Sequence, residues 1–176
     1  MSGGDFGASR RLDLDEQRLT LLPESIGRMA DLEELSLWRN ELTSLPDFVW
    51  EMTSLRVLNV AENRLSSLSE KIGQLSRLEM LDIGHNELTT LPDSIGRLDR
   101  LIHLDLRNNR LASLPASLGS LKKLRHLDLR SNKLTSVPEP IRDLPSLEKL
   151  DLRWNDVGPL PDWLQRRAQD GCTVYF

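Results

Sequence analysis

The side chains best suited to chemistry are two histidines, each placed two residues before an aspartate, in His103-x-Asp105 and His126-x-Asp128. Two imidazoles and two carboxylates on one surface could bind zinc. A Ser-His-Asp set with Ser131 fails on distance, because Ser131 would lie roughly 15 Å from His126 along an extended strand and turn. We do not favour a metal site, since the sequence shows no residues that would enclose a metal or orient its ligands.

Recognised catalytic motifs are missing from the sequence, which contains no H-E-x-x-H, G-x-x-x-x-G-K-[ST], C-x-x-C or G-x-S-x-G. The net charge of −4 argues against a nucleic-acid partner, which requires a basic surface. No stretch approaches the ~20 apolar residues of a membrane span. We therefore predict a protein that is not an enzyme, holds no cofactor or metal, and binds neither nucleic acid nor membrane.

The start of the chain and its cysteine content bear on location. The first residues, M-S-G-G-D-F-G-A-S-R-R, lack the apolar core of a signal peptide. A single cysteine, Cys172, excludes an intrachain disulfide and favours a reducing compartment. The prediction is a cytoplasmic protein; a secreted effector that acts in a host cell is the alternative.

A 23-residue repeat organises the chain and must position these residues. Its leading leucine recurs at Leu32, Leu55, Leu78, Leu101, Leu124 and Leu147. An asparagine follows eight residues later each time, at Asn40, Asn63, Asn86, Asn109, Asn132 and Asn155. With a degenerate copy that starts near Ser9 and has Gln17 in place of the asparagine, the chain contains about seven units. Leu-x-x-Leu-x-Leu-x-x-Asn-x-Leu at a fixed period indicates a leucine-rich repeat.

The end of the unit, such as L-P-D-S-I-G-R-L at 91–98, resembles the 23-residue Ras-group repeats of plant and animal intracellular proteins and of related bacterial proteins. The resemblance covers roughly residues 9–164. It implies a curved right-handed α/β solenoid and adaptor or signalling work, for example on a small GTPase.

The period also predicts the elements. Each Leu-x-Leu run predicts a short strand, and stacking the units gives a concave parallel β-sheet of about seven strands. Proline and an apolar residue in the second half of each unit predict a convex side of short helices and turns. The asparagines are expected to point inward and to bind backbone groups left unpaired at the turn.

The domain prediction has three parts: a flexible N-terminal segment, 1–8; a solenoid, 9–169, with repeats starting near 9, 32, 55, 78, 101, 124 and 147; and a C-terminal capping strand, 170–176. A longer helix over 162–169 is expected to precede the cap. Within the cap, Cys172, Val174 and Phe176 are expected to point inward, with Cys172 a buried thiol rather than a reactive one.

Because periodicity fixes the core, binding specificity must lie in outward positions that vary. Apolar and small residues interrupt the expected polar surface in units two to four, where Trp38 either serves as a contact residue or lies over Ala61. In units five to seven an aspartate column runs beside an arginine column, which is either a self-neutralised lattice or a charged docking strip. The candidate protein-binding residues of the concave face are Trp38, Val57, Met80, His103, Arg107, His126, Arg130, Arg153 and Trp154.

The sequence thus predicts a non-catalytic protein–protein interaction module, monomeric, that binds a partner on its concave face. One alternative is the substrate-recognition part of a bacterial effector or ubiquitin-ligase-type system whose catalytic domain is absent here. Another is a structural role through the convex side, where Phe48, Trp50 and Trp163 lie, although packing between neighbouring turns explains these aromatics as well.

Overall fold

The computed structural model describes residues 10–176, so the predicted segment 1–8 lies outside the described residues. Eight three-residue strands form one sheet: β1 Arg11–Asp13, β2 Glu34–Ser36, β3 Val57–Asn59, β4 Met80–Asp82, β5 His103–Asp105, β6 His126–Asp128, β7 Lys149–Asp151 and β8 Thr173–Tyr175. All neighbours are parallel and follow chain order. From β1 to β7 each residue pairs with the one 23 positions later, as Leu58 pairs with Leu81. This open parallel sheet confirms the predicted leucine-rich-repeat solenoid, and the closing segment adds the eighth strand.

The opposite side of the solenoid consists of short turns. Five are 3-10 helices: Glu24–Arg28, Glu70–Gln74, Asp93–Arg97, Ala116–Ser120 and Glu139–Asp143. A proline precedes four of them, and Ser69 precedes the other, where its hydroxyl accepts a hydrogen bond from the Lys71 N–H at 3.2 Å. Successive turns approach closely: a Cβ on Gly96 would lie 2.3 Å from the Ser117 carbonyl oxygen. At this point of close approach only glycine fits.

The second unit differs in its turn, in which Trp50 takes the position that Gly96 has in the fourth unit. Its turn is a short α-helix, α1 Phe48–Glu51, and the indole of Trp50 is only 1% exposed. Phe48 and Trp163 are partly buried against the same core. The aromatic residues of the convex side therefore pack against the core of the solenoid. This agrees with the explanation that they serve packing between neighbouring turns.

One hydrophobic core runs between the sheet and the turns. The inward leucines at the centre of β2 to β7 are at most 1% exposed: Leu35, Leu58, Leu81, Leu104, Leu127 and Leu150. Each unit is too small to bury its own apolar residues, so neighbouring units must stack to exclude water.

A ladder of asparagines joins the units inside the core. The side-chain amide of Asn86 donates to the carbonyl oxygens of Val60, Ile83 and Gly84 at 3.0, 3.1 and 3.3 Å. Its Oδ1 accepts from the Leu65 N–H at 2.9 Å. The same pattern recurs at Asn40, Asn63, Asn109, Asn132 and Asn155. Backbone groups that the turn leaves unpaired are thus satisfied, which confirms the predicted structural role.

The C-terminal end begins with helix α2, Asp162–Gln169, which has the bounds the sequence predicts. Arg167 occupies the place that a buried leucine takes in earlier units. Its guanidinium donates to the carbonyl oxygens of Leu144 at 2.5 Å and Arg142 at 3.0 Å. Arginine therefore satisfies backbone acceptors of the preceding turn where another repeat would otherwise pack.

Strand β8 extends the sheet by placing Val174 opposite Leu150. Cys172 is buried, and burial raises the pKa of its thiol, as expected for an unreactive side chain. The inward orientation predicted for Phe176 is wrong: this side chain is 71% exposed. Because β8 ends at Tyr175, the alternation of the strand does not extend to Phe176.

Candidate protein-interaction surface

The outward face of the sheet holds all nine predicted contact residues. We define the sheet face as the outward strand positions, the residues two places beyond each strand, and the rim residue after those. Its N-terminal half belongs to β1–β4 and its C-terminal half to β5–β8. The first strand residues align as Val57, Met80, His103 and His126. Beyond the strands, Trp38, Arg107, Arg130 and Arg153 share one column, and Trp154 lies on the rim. The nine residues extend over six repeats and do not form a single cluster.

Aspartates at the ends of the strands cap the backbone. In Asp128, as an example, Oδ1 accepts a hydrogen bond from the Arg130 N–H at 3.1 Å. The same bond, two residues along, is made by Asp13, Asn59, Asp82, Asp105 and Asp151. This turn motif gives the aspartate column a structural role that the sequence analysis missed. The sequence contained a sign of this capping role. At position 59 asparagine replaces aspartate, and asparagine keeps the side-chain oxygen that accepts the capping hydrogen bond.

The rim residues adopt left-handed backbone conformations with φ between 51° and 59°. They are Glu16, Arg39, Glu62, His85, Asn108, Ser131 and Trp154. Among them asparagine adopts this region most readily, and a bulky aromatic is least suited to it. Trp154 is also 68% exposed. An exposed tryptophan held in a strained conformation is a candidate contact residue.

In the C-terminal half, arginines neutralise the aspartates within their own repeats. Arg130 makes a bidentate ion pair with Asp128, at 2.9 and 2.6 Å, and lies 3.5 Å from Asp151. Arg153 likewise binds Asp151 at 3.0 and 2.7 Å. Burial alone would raise the pKa of Asp151, but the hydrogen bonds from Arg153 outweigh burial and the pKa is lowered. This geometry favours the self-neutralised lattice for these two repeats.

Aromatic rings extend this lattice toward the C-terminal end. The Trp154 ring lies 5.9 Å from the Arg130 guanidinium and 5.4 Å from that of Arg153. Tyr175 of β8 lies 4.9 Å from Arg153 and 5.6 Å from the Lys149 ammonium. These distances allow cation–π attraction. Sequence reasoning missed Tyr175 because it concentrated on the inward residues of the cap.

The two candidate histidines contact each other. The Nδ1 atoms of His103 and His126 are 2.8 Å apart, so one ring donates a hydrogen bond to the other. The rings pack edge to face with centroids 4.3 Å apart. Burial, and then the neighbouring His126, lower the pKa of His103. Over residues 10–176, no three His, Cys, Asp or Glu side chains are grouped so that they could hold a metal ion. The two rings therefore form a hydrogen-bonded pair, a contact that the sequence did not predict.

Asp105 and Asp82, at the junction of the two halves, are poorly neutralised. Arg107 approaches Asp105 only at 3.5 Å. Burial, with the charges of Asp82 and Asp128, raises the pKa of Asp105 to about 6. Burial also raises the pKa of Asp82. Asp82 lacks an arginine in its own repeat because Gly84 occupies that position, and a Cβ there would lie 3.1 to 3.3 Å from Arg107, Asp105 and Asp82.

The N-terminal half contains a shallow groove of about 290 Å³. Val57 and Met80 lie side by side in it, and Met80 is 41% exposed. Trp38 is half-buried, and its backbone N–H donates to Asp15 at 2.8 Å. Ala61, one strand further, is 2% exposed, which agrees with an aromatic ring nearby. The groove thus combines an apolar floor with acidic edges.

Charge separates the two halves. The N-terminal half carries six carboxylates and two arginines, a net charge of −4: Asp13, Asp15, Glu16, Glu34, Glu62, Asp82, Arg11 and Arg39. The C-terminal half carries one lysine, three arginines and three aspartates, a net charge of +1 with neutral histidines: Lys149, Arg107, Arg130, Arg153, Asp105, Asp128 and Asp151. One half is acidic and the other is close to balanced.

This parallel sheet with an outward face of non-repeating side chains defines a repeat protein of the solenoid class. The leucine rich repeat family model matches residues 10–65 and 100–157, and a second model, the leucine-rich repeat region, matches 47–123. The chain belongs to the leucine-rich repeat family. Domains of this family are commonly non-catalytic modules for protein interaction.

Solved structures show the same fold. A leucine-rich-repeat protein of Leptospira interrogans is 35% identical, with a TM-score of 0.82, and the match covers 90% of this chain and 47% of that one. The ectodomain of the Arabidopsis thaliana membrane receptor kinase GASSHO1/SCHENGEN3, in complex with Casparian strip integrity factor 2, is 31% identical with a TM-score of 0.72. A crystal structure of PEPR1-AtPEP1 is 28% identical, also with a TM-score of 0.72.

The two matches with a TM-score of 0.72 cover 81% and 82% of this chain but only 18% and 21% of the other chains. The chain therefore spans less than half the length of each of these three structures. A search of functionally curated proteins found no match. Among residues 10–176, no helix has the length and apolar character needed to cross a membrane.

Proposed function

We propose that this chain is a non-catalytic adaptor module that binds a folded protein partner on its sheet face. The observation that carries the proposal is Trp154, which is 68% exposed in a left-handed conformation on the rim of that face. Exposed aromatics beside arginines are typical of residues that dominate binding energy. The core supplies no such signal, because its side chains repeat from unit to unit.

The similar structures support a protein ligand. One of them, the Arabidopsis receptor ectodomain, is a complex with Casparian strip integrity factor 2. The resemblance to Ras-group repeats supports a finer proposal: a signalling adaptor in the cytoplasm, acting as a monomer, with a small GTPase as the partner class. The second candidate function is substrate recognition beside a catalytic domain. It rests on the resemblance of the repeats to those of bacterial proteins.

Site-specific photocrosslinking tests the proposal. A photoreactive phenylalanine analogue replaces Trp154 or Trp38 on the sheet face, and Ala116 on the opposite side as the matched control. In lysate of the native cell, the two sheet-face positions should crosslink one shared partner and position 116 should not. Equal crosslinking from all three positions, or from position 116 alone, would exclude the sheet face as the binding surface.

The identity of the crosslinked protein separates the finer alternatives. A GTP-binding protein supports the signalling adaptor. A protein that is ubiquitinated or otherwise modified in the presence of a longer form of this chain supports substrate recognition.

A further inference from the structure

Four carboxylates in the N-terminal half of the sheet face make no ion pair within residues 10–176. Arg11 is 2.7 Å from Glu34 and Arg39 is 3.2 Å from Glu16, so these two acids are neutralised. The four others are Asp13, Asp15, Glu62 and Asp82. In the C-terminal half every aspartate of the face has an arginine within 3.5 Å. Carboxylates without any ion pair are therefore confined to the N-terminal half, whereas Asp105 of the other half keeps one longer contact of 3.5 Å with Arg107.

Three of these four carboxylates lie around an apolar strip. Asp13, Asp15 and Asp82 line the same groove as Val57 and Met80. Met80 is the one large apolar side chain of this half that is more than 40% exposed within the described residues. The thioether of methionine adapts to differently shaped apolar side chains, which suits a contact surface. The groove thus offers an adaptable apolar floor beside three unpaired carboxylates, and the Arg11–Glu34 ion pair is also part of its lining.

The backbone bonds of these acids leave their charge available. Asp15 Oδ1 accepts from the Ser36 hydroxyl at 2.6 Å and from the Trp38 N–H at 2.8 Å. Asp82 Oδ1 accepts from the Gly84 N–H at 3.0 Å. These bonds hold the carboxylates in place but supply no positive side chain. A fixed acidic group that lacks a cation partner attracts one from another molecule.

We propose that this groove binds a protein segment that presents lysine or arginine side chains next to an aliphatic one. The aliphatic side chain packs on Val57 and Met80, and the cations pair with Asp15 and Asp82. The proposal rests on the proposed function and specifies the chemistry of the partner. The N-terminal residues of the chain do not fit this role, since residues 1–9 contain one aspartate and no lysine or arginine.

The proposal can be tested with a random library of twelve-residue peptides displayed on phage. Selection from such a library does not assume that the bound peptides contain basic or aliphatic side chains. The target is the whole chain, and enriched peptides are synthesised and titrated by fluorescence anisotropy. Enriched sequences should combine basic and aliphatic residues. Their affinity should fall at least fivefold in the variant Asp15→Asn/Asp82→Asn, and it should weaken as salt rises.

The substitutions are designed to keep the fold. Asparagine retains the Oδ1 acceptor at both positions, and Asn59 in the neighbouring strand already makes the cap that Asp82 makes. The charge-matched control is Glu24→Gln/Asp93→Asn, which removes two charges from the first residues of two turns on the opposite side. The control should bind as the parent does. An equal loss in the control would show non-specific attraction to an acidic protein and would overturn the proposal.

Other results separate this proposal from the proposed function. Enriched peptides that are acidic, or that lose binding only in Arg130→Gln/Trp154→Ala, would overturn the basic-segment proposal and leave the sheet face as the interaction surface. Peptides whose binding is unaffected by variants of either half would overturn both.

Discussion

The two halves of the sheet face share a backbone and differ in how their charges are neutralised. Each strand-capping aspartate of β6 and β7 has an arginine two residues later in a bidentate ion pair. In β2 to β4 the same position holds Trp38, Ala61 or Gly84. A repeat therefore fixes the backbone and leaves outward side chains free to vary. A half that neutralises its own charges has little attraction left for a charged partner, whereas the other half retains it.

The first and largest effect should be the same in both halves, because it concerns the shared core. Asn63→Ala and Asn132→Ala each remove four hydrogen bonds and leave buried backbone groups unsatisfied. Each should lower the free energy of unfolding by about 3 kcal/mol in urea titrations. A difference between the two variants above ~1 kcal/mol would show that the halves differ in their core as well as their surface.

A second pair of variants should separate the halves. Asp151→Asn weakens the bonds to Arg153 and Arg130 around a side chain only 3% exposed, so about 2 kcal/mol of stability should be lost at pH 7. The matched variant Asp82→Asn breaks no ion pair and relieves a buried charge, so stability should stay the same or rise. Because the pKa of Asp151 is lowered by its partners, the penalty of Asp151→Asn should shrink as pH falls below ~4. Equal losses in both variants would contradict the difference in charge pairing.

The third prediction concerns the junction of the halves and depends on pH. Asp105 has a pKa raised to about 6, above its value in the unfolded chain. The folded state then gains a proton more readily than the unfolded state, so the stability contributed by this group falls as pH rises from ~4 to 6. Asp105→Asn should therefore stabilise the protein above pH 6.

The expected gain in the free energy of unfolding is about 1 kcal/mol at pH 7.5. The full pKa shift of Asp105 would correspond to ~3 kcal/mol, but solvent reduces the effect because the side chain is 23% exposed. Thermal unfolding at pH 7.5 and pH 4.5 measures it, and the gain should be much smaller at pH 4.5. A gain that is independent of pH would mean that repulsion at Asp105 is not its cause.

The smallest effect compares two rim residues with the same backbone conformation. Glu62 has φ 54° and Trp154 has φ 59°. Asparagine tolerates this region, so Glu62→Asn should stabilise by about 0.5 kcal/mol. Trp154→Asn should stabilise less, because it also removes the stacking on Arg130 and Arg153. If Trp154→Asn were the more stabilising variant, the backbone strain at position 154 would outweigh the cation–π contacts.

Much of the fold could be read from the sequence because its signals are local and repeated. Leucine alternation predicts each strand, and a fixed spacing of 23 residues predicts the pairing of Leu58 with Leu81. The asparagine ladder follows from the turn that each unit must make. The C-terminal cap was harder to predict, because it occurs once and cannot be compared with other copies. The predicted inward orientation of Phe176 was therefore wrong.

The candidate surface was less predictable. The column of each outward residue could be derived, so Val57, Met80 and His103 were expected side by side. The side-chain contacts of these residues could not be derived, because periodicity does not specify which rotamer an exposed side chain adopts. The contact between the His103 and His126 rings, the unequal pairing of Arg107 and Arg130, and the contribution of Tyr175 depend on side-chain conformation and on neighbouring repeats.

By itself, the sequence determined that the chain stacks into a leucine-rich solenoid and which residues face outward, because burying leucine at a constant spacing allows one arrangement of units. Only the tertiary structure decided which outward charges neutralise each other. That outcome depends on distances of a few ångströms between side chains in adjacent strands, and electrostatic attraction changes steeply over such distances.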